Sequence, residues 1–180
     1  MPKRTLTPIE RQRALEVHER VGRNVIRVQV LEGALKTFVP FVDLQGAQHA
    51  LDGLPGRAEK VWKQTLGQLI GSFQDSLTSS DKHFDDLLSR VVADRNDLVH
   101  HFPAKYGSLS RTADGHAELL AKLDRQLEDI KSLESVMHGL LLEFLRVLRD
   151  TQAAGSDSYR DFASIYDNVE STMRAWSGEE

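Results

Sequence analysis

Residues 116–150 read HAELLAKLDRQLEDIKSLESVMHGLLLEFLRVLRD, and this stretch decides the fold class. Its apolar side chains recur in steps of three or four residues, which is the spacing of one face of an α-helix. We predict a long helix over about residues 116–152, used either in a helical bundle or as a coiled-coil seam. The face is formed by Leu120, Leu123, Leu127, Ile130, Leu133, Met137, Leu141, Phe144 and Leu148.

The rest of the chain shows the same helical spacing. Thr7, Pro8 and Glu10 form a capping box that begins a first helix, and Pro40 is expected to end it. No convincing β alternation appears, so the sequence predicts an all-α bundle of about five helices in a single domain over residues 1–180. The expected order is a helix over 7–37, a long connection over 40–56, helices over about 57–77 and 80–102, a loop over 104–114, the long helix, and a last helix over 157–176.

The predicted second helix carries two further features. Gly67 and Gly71 lie one turn apart beside its apolar face, and glycine destabilises a helix. The pair therefore predicts close backbone packing against a neighbouring helix. Trp62, on the same apolar face, and Trp176, in the last helix, are expected to be core residues rather than surfaces for base stacking.

Composition excludes several classes of protein. The chain of 180 residues contains no cysteine, so it has neither disulfides nor thiolate metal ligands, and its net charge is −4. Proteins that coat DNA without sequence preference are basic, so any contact with nucleic acid should be local. No apolar run is long enough to span a membrane, and MPKRTLTPIERQ lacks the apolar stretch of a secretory signal. We expect a cytoplasmic protein with no membrane segment.

Residues 93–103 read ADRNDLVHHFP and lie at the end of the predicted third helix. Arg95 occupies a place on the apolar stripe of that helix, which is otherwise formed by Phe84, Leu88, Val91 and Leu98. An arginine in such a place must have its charge paired or must reach water. The simplest interpretation is a salt bridge to a carboxylate on another helix.

The neighbours of Arg95 suggest chemistry as well. Asn96 and His100 are one helical turn apart, as are Asp97 and His101, which could form a pair. Arg95 and His100 are five residues apart and lie on different faces, although the long arginine side chain could reach the ring. Imidazole can exchange a proton near pH 7, and guanidinium can bind phosphate oxygens, so the cluster suits a phosphodiester without requiring a metal.

The segment RNDLVH at 95–100 resembles the R-N-x-x-x-H motif of HEPN domains, within their general R-x(4–6)-H pattern. The spacing R-x4-H occurs also at Arg13/His18 and at Arg111/His116. The copy at 95–100 differs from both by the asparagine after its arginine, the two apolar residues before its histidine, the aromatic Phe102 beyond it and its place near a helix end. The segment TLGQLIGSF in the predicted second helix is also similar to HEPN-type proteins.

The resemblance implies an all-α, metal-independent ribonuclease of toxin or phage-defence type. It implies a homodimer in which two copies of the motif face each other in one cleft and bind RNA. By the resemblance, Arg95 would hold the phosphate, His100 would act as general acid or base, and Asn96 would position them. Asp97 and His101 are auxiliary candidates to which the motif assigns no role. No metal or cofactor is expected.

The extent of the resemblance and one departure from it bear on the partners. It covers about residues 57–152, leaving the helices at 7–37 and 157–176 as additions. HepT-type toxins of this family read R-x4-H-x-Y, and a partner nucleotidyltransferase modifies the tyrosine. Phe102 stands at that place, and the nearby Tyr106 does not match the motif. An antitoxin or nucleotidyltransferase partner is therefore expected, but control by that particular modification is in doubt.

Two alternatives stay open. The first is a non-catalytic HEPN-like module for dimerisation or protein interaction, in which the cluster is a structural polar network. The second is an unrelated helical adaptor, in which RNDLVH is a chance match and Arg95→Ala changes stability alone. Loss of activity in a folded His100→Ala protein would favour the ribonuclease, and a dimer without cleavage would favour the interaction module.

Overall fold

We describe a computed structural model of the chain over residues 6–42, 59–76, 82–150, 155–157, 160, 163–164, 166–168 and 170–171. Every regular element in these residues is helical, which confirms the all-α class. No helix in this part of the chain is both long enough and apolar enough to cross a membrane. The main elements are α1 (Pro8–Val42), α2 (Leu66–Ser76), α3 (Lys82–Asn96), a π-helical turn (Asp97–His101), α4 (Phe102–Tyr106), a 3₁₀ turn (Leu109–Arg111) and α5 (Ala113–Asp150).

The chain divides into two compact units, Met1–Leu133 and Glu134–Glu180. The first unit contains α1 to α4 and the beginning of α5. The second contains the end of α5, where Met137, Leu141 and Leu145 are buried, and the described positions between 157 and 171 are helical. The single domain over 1–180 stays a prediction, and Trp176 lies outside the described residues.

Helix α1 begins as the sequence predicts. The backbone N–H of Thr7 donates to Glu10 Oε2 at 2.8 Å, and the N–H of Glu10 donates to Thr7 Oγ1 at 3.2 Å, which is a capping box. The prediction that Pro40 ends the helix is wrong, because α1 continues to Val42. Proline lacks the N–H that would bond to the carbonyl of Lys36, so α1 passes this position with one backbone hydrogen bond fewer. The rest of the predicted connection at 40–56 lies outside the described residues.

The predicted second helix over 57–77 is interrupted. Residues 59–62 form a helical turn, 63–65 leave the helical path, and α2 starts at Leu66. A second capping box explains the restart, because the backbone N–H of Thr65 donates to Gln68 Oε1 at 2.8 Å. The break separates Trp62 from the face of α2. Trp62 is consequently 61% exposed, and its assignment to the core is wrong.

The glycines of α2 do not mark a close contact. A Cβ atom added at Gly67 would lie 3.6 Å from Val92 Cγ1, an ordinary van der Waals distance, and one added at Gly71 would meet nothing within 4 Å. The prediction of close backbone packing is therefore wrong. The close approach occurs instead at Gly115, near the start of α5, where an added Cβ would lie 2.5 Å from the carbonyl oxygen of Leu109.

The predicted third helix does not end at Pro103. The chain widens into the π-helical turn Asp97–His101 and then continues as α4 through Pro103 to Tyr106. A proline ring clashes with the carbonyl group four residues earlier in a regular α-helix, and an extra residue in the preceding turn displaces that carbonyl. The predicted loop over 104–114 is correspondingly shorter, since it also contains the 3₁₀ turn and since α5 starts at Ala113.

A core in the first unit fixes the position of the wide turn. Leu98, inside that turn, packs with Val17 of α1 and with Leu119 and Leu123 of α5. The fully buried Asn24 of α1 donates from Nδ2 to the carbonyl oxygen of Leu123 at 2.7 Å, which ties α1 to α5. The turn is thus anchored by its apolar side chain while its other side chains reach the surface.

Gly71→Ala should raise the free energy of unfolding by about 0.5–1 kcal/mol, because alanine favours a helix and nothing lies within 4 Å of the added methyl group. Gly115→Ala should lower it by about 1 kcal/mol or more, because its methyl group meets a backbone carbonyl. Urea denaturation of both variants beside the parent measures this. A destabilising Gly71→Ala would restore the predicted close packing.

Candidate functional site

Arg95 lies on the predicted stripe of α3, but no carboxylate of the described residues pairs with it. Leu88, Val91 and Leu98 of that stripe are buried, while Arg95 is partly buried. Within the described part of the chain, its hydrogen bonds go to Asn96 and His100 alone. The interpretation of Arg95 as a salt bridge to another helix is therefore wrong.

The π-helical turn brings Arg95 and His100 together. In a regular α-helix, side chains five residues apart are separated by about 140° around the axis. The i→i+5 hydrogen bonds of a π-helical turn make residues at this spacing neighbours on one turn. As a result, Arg95 Nη1 lies 3.2 Å from His100 Nε2. The sequence correctly predicts that the arginine can reach the ring, but not the change of helical register that places it there.

The guanidinium group of Arg95 keeps most of its donors available. Its Nη1 group carries two protons, which suffice for Asn96 Oδ1 at 3.2 Å and for His100 Nε2. The three remaining N–H donors, on Nε and Nη2, make no hydrogen bond to any other described residue. Asn96 thus holds the guanidinium rather than the imidazole that it was expected to share a face with.

His100 contacts its arginine neighbour through Nε2. Guanidinium can only donate, so the contact requires a neutral imidazole that accepts at Nε2 and carries its proton on Nδ1. His100 and His101 are both exposed, and their ring centroids lie 6.2 Å apart with edge-on geometry. The cluster therefore presents a cation and two imidazoles on a surface that solvent can reach.

Asp97 belongs to a separate network, and its expected pairing with His101 is wrong. Its carboxylate accepts from Lys105 Nζ at 2.6 Å and from the Tyr106 hydroxyl at 2.8 Å. The hydrogen bond from Lys105, and secondarily that from Tyr106, lowers the pKa of Asp97 below its ordinary value. Asp97 therefore connects the wide turn to α4 and does not act on the histidines.

Tyr106 and Phe102 face the core from α4. Their ring centroids are 5.4 Å apart, and both pack against the cluster that contains Leu98. Lys122 Nζ lies 5.5 Å from the Tyr106 ring centroid, in cation–π contact. Burial, and then the hydrogen bond to Asp97, raises the pKa of Tyr106 to about 12. The phenol is therefore a structural donor at neutral pH.

An open groove of about 460 Å³, here called the Arg95 groove, lies beside the cluster. Its walls combine aliphatic, aromatic and cationic side chains. Trp62 and Val99 are 61% and 48% exposed, and Lys36 Nζ lies 5.8 Å from the Trp62 ring centroid. One carboxylate, that of Glu32, also lines the groove. The complete lining is Val25, Val28, Gln29, Glu32, Gly33, Lys36, Trp62, Arg95 and Val99.

The other two copies of the R-x4-H spacing do not form sites of this kind. His18 is exposed on α1. His116 is buried, and its Nε2 lies 2.9 Å from Glu16 Oε2, so it joins α5 to α1. Nothing in the sequence marks this pair, because 100 residues separate its members. The capping box at Thr65 and Gln68, by contrast, carries the recognisable signal T-x-x-Q and could have been found.

Chemically, the cluster suits an anion. The free donors of Arg95 can bind two oxygens of a phosphate or carboxylate in parallel, and an exposed imidazole can transfer a proton. In the part of the chain that the structure describes, no three His, Asp or Glu side chains converge as metal ligands would. Comparisons with protein-family models, with curated proteins and with solved structures find no match to this chain.

The phenol of Tyr106 should titrate late in the folded protein. Its absorbance as phenolate should rise with a midpoint near pH 12, and this component should be missing from Tyr106→Phe. Because the folded pKa is raised, the stabilisation by Tyr106 is complete below about pH 10, its value in the unfolded chain, and is lost as the pH rises to about 12. Spectrophotometric titration measures the first effect, and urea denaturation against pH measures the second.

Asp97→Asn is the matched control for this titration, because it removes the carboxylate and keeps the shape of the side chain. It should bring the Tyr106 midpoint part of the way back toward about 10. A parent midpoint near 10 would show that the phenol is neither buried nor bonded to Asp97, and that another contact holds α4 in place.

Proposed function

We propose that this chain is a metal-independent RNA endonuclease of HEPN type, working as a cytoplasmic toxin or phage-defence effector. The observation that carries the proposal is the Arg95–His100 contact of 3.2 Å, made on an exposed surface by a guanidinium without a carboxylate partner in the described chain. The cation and the proton-transferring group that a phosphodiester needs are thereby adjacent. An antitoxin or a nucleotidyltransferase-type protein is the proposed neutralising partner.

In this proposal, Arg95 binds the scissile phosphate and stabilises the negative charge that builds up in the transition state. Asn96 keeps hold of Nη1, so the guanidinium stays in place when it leaves the imidazole for the phosphate. His100 Nε2, released from Arg95, then takes the proton of the 2′-hydroxyl. The contact with Arg95 occupies His100 Nε2 in the free protein, and the phosphate of the substrate replaces that contact.

The reaction needs a second proton-transferring group. After the 2′ oxygen attacks the phosphorus, the bond to the 5′ oxygen breaks, and that oxygen must receive a proton. A second chain supplies the acid in this proposal, as the protonated His100 across a two-fold axis. The products are a 2′,3′-cyclic phosphate and a 5′-hydroxyl, so the two proton transfers balance. His101, 6.2 Å from His100 between ring centroids, is the auxiliary candidate within one chain.

Phe102 bears on how such an enzyme would be controlled. Phe102 packs against the core of the first unit. A tyrosine at this position would therefore place its hydroxyl on the side of α4 that faces the core. Tyr106 also faces this core and donates to Asp97. Control of this chain by tyrosine modification at the motif is accordingly left out of the proposal.

A non-catalytic dimerisation or interaction module is the second candidate. The observation that favours it is that Arg95 already contacts both Asn96 and His100 through Nη1, as a member of a structural polar network does. This candidate requires a folded dimer that binds or assembles but does not cleave RNA.

Purified protein should cleave a mixed RNA pool in excess EDTA and leave cyclic phosphate ends. His100→Ala should slow cleavage by about a hundredfold or more, which is the contribution that general acid–base catalysis makes. Arg95→Ala should lower the rate as well, because the phosphate loses its charged ligand. Gel analysis of end-labelled RNA measures the rates, and circular dichroism and sedimentation velocity verify fold and dimer.

His18→Ala is the matched control, since His18 has the same spacing from an arginine but lies exposed on α1. It should cleave like the parent. Equal activity of the parent and His100→Ala would place the cleavage at another site or in a contaminant. A folded dimer that cleaves no RNA would reject the ribonuclease and support the non-catalytic dimerisation or interaction module.

A further inference from the structure

We propose that the Arg95 groove binds one nucleotide of single-stranded RNA, with its base stacked on Trp62 and its phosphate held by Arg95. This inference rests on the proposed function, because the same guanidinium would hold the scissile phosphate. It adds a base-binding subsite and a residue, Trp62, that would determine which part of an RNA strand is cut.

Trp62 presents an aromatic surface that the fold leaves open. The break at 63–65 separates it from α2, and its side chain is 61% exposed. Lys36 of α1, at 5.8 Å from the ring centroid, holds the indole next to the groove. Exposed aromatic rings of this kind are what single-stranded nucleic acids stack on, because every base has a π-face.

The charges beside the ring suit an anion attached to the base. Lys36 is paired with Glu32 at 2.8 Å, so these two charges offset each other. Arg95 has no carboxylate partner within the described residues, which leaves the groove with one uncompensated positive charge. Its free Nε and Nη2 donors match two oxygens of a phosphate. The aromatic ring and the cation thus correspond to the two chemically distinct halves of a nucleotide.

The shape of the groove agrees with a ligand of this size. Its volume of about 460 Å³ lies within the range of about 300–1,000 Å³ that small-ligand sites occupy. Val25, Val28 and Val99 form aliphatic walls that would contact the edges of a base and of its ribose. An apolar peptide would fill the same walls but would leave the donors of Arg95 unpaired, which costs binding energy.

The test measures binding separately from cleavage. A short fluorescein-labelled 2′-O-methyl RNA cannot be cut through its blocked 2′-hydroxyl, so its dissociation constant can be read from fluorescence anisotropy. Trp62→Ala should weaken binding about tenfold, within the effect of losing one base–aromatic stack, and Trp62→Phe should retain most of the affinity. In a Trp176→Phe protein, RNA should quench the fluorescence of the single remaining indole.

Ile26→Ala is the control, since Ile26 is a comparably exposed apolar residue of α1, at 53%, that does not line the groove. It should bind like the parent. Unchanged affinity in Trp62→Ala, or no binding by the parent, would overturn the inference. So would conversion of a dimer to monomer by Trp62→Ala, because the groove would then hold a second copy of the chain.

The same proteins are assayed on unmodified RNA, which separates the two proposals. A parent that binds RNA through Trp62 without cutting it would keep the subsite and reject the ribonuclease. A parent that cuts RNA while Trp62→Ala binds normally would reject the subsite alone.

Discussion

The hydrogen-bond register of the turn Asp97–His101 is the constraint on which the candidate site depends. A continuous α-helix through this segment would carry Arg95 and His100 on different faces, about 140° apart, so only an extended arginine side chain could reach the ring. The π-helical register brings them within 3.2 Å. Pro103 favours the wide turn, because in a regular helix its ring would clash with the carbonyl group four residues earlier.

A π-helical turn is rare, so the surrounding packing must hold it. Leu98 anchors its inner side in the core with Val17, Leu119 and Leu123. Asp97, the first residue of the turn, accepts hydrogen bonds from Lys105 and Tyr106 of α4. Lys122 of α5 lies over the Tyr106 ring. The turn therefore has an apolar contact and a polar contact on its structural side. Arg95, Asn96 and His100 are left on the accessible side, where they do not contribute to these anchors.

Much of the fold could be predicted from the sequence, because helical spacing and capping boxes are local signals. The beginning of α1 and the middle of the buried face of α5, from Leu123 to Leu141, follow from them directly. Towards the two ends of α5 the buried positions are Leu119 and Leu145, whereas the predicted Leu120 and Phe144 are only partly buried. The interruptions of the helices are harder to predict. The break before α2 and the π-helical turn each depend on a single residue, whereas the helical spacing of apolar residues continues on both sides. The sequence groups Arg95, Asn96 and His100, and in the structure Arg95 contacts the other two. It misplaced Asp97, because helical spacing alone assigns it to His101.

The parts of the site that sequence reasoning missed depend on long-range contacts. Whether Arg95 meets a carboxylate is decided by which helices pack beside α3, and no local pattern records that. Trp62 is exposed because the helix starts anew after Thr65, so the residues before that point do not continue the apolar face of α2. The pair of Glu16 and His116 joins helices that are far apart in sequence. Each of these outcomes requires knowledge of tertiary neighbours rather than of spacing.

Several cations of the first unit are paired with carboxylates of other helices or turns. Arg20 and Arg23 meet Asp124, Arg90 meets Asp129, and Lys105 meets Asp97. A cation neutralised in this way can bind a phosphate only by displacing a carboxylate of full charge. Arg95 instead contacts an amide oxygen and an imidazole nitrogen. Both compete less strongly than a carboxylate does with a phosphate for the donors of the guanidinium group.

The difference has a consequence for how a site at Arg95 would work. A phosphate that replaces His100 at the guanidinium exchanges a neutral acceptor for a charged one and frees the imidazole at the same moment. Binding and activation of the proton acceptor are then a single event, and neither requires the protein to refold. In the proposed reaction Arg95 therefore needs an exchangeable partner, and a carboxylate on a neighbouring helix would compete with the phosphate for its donors.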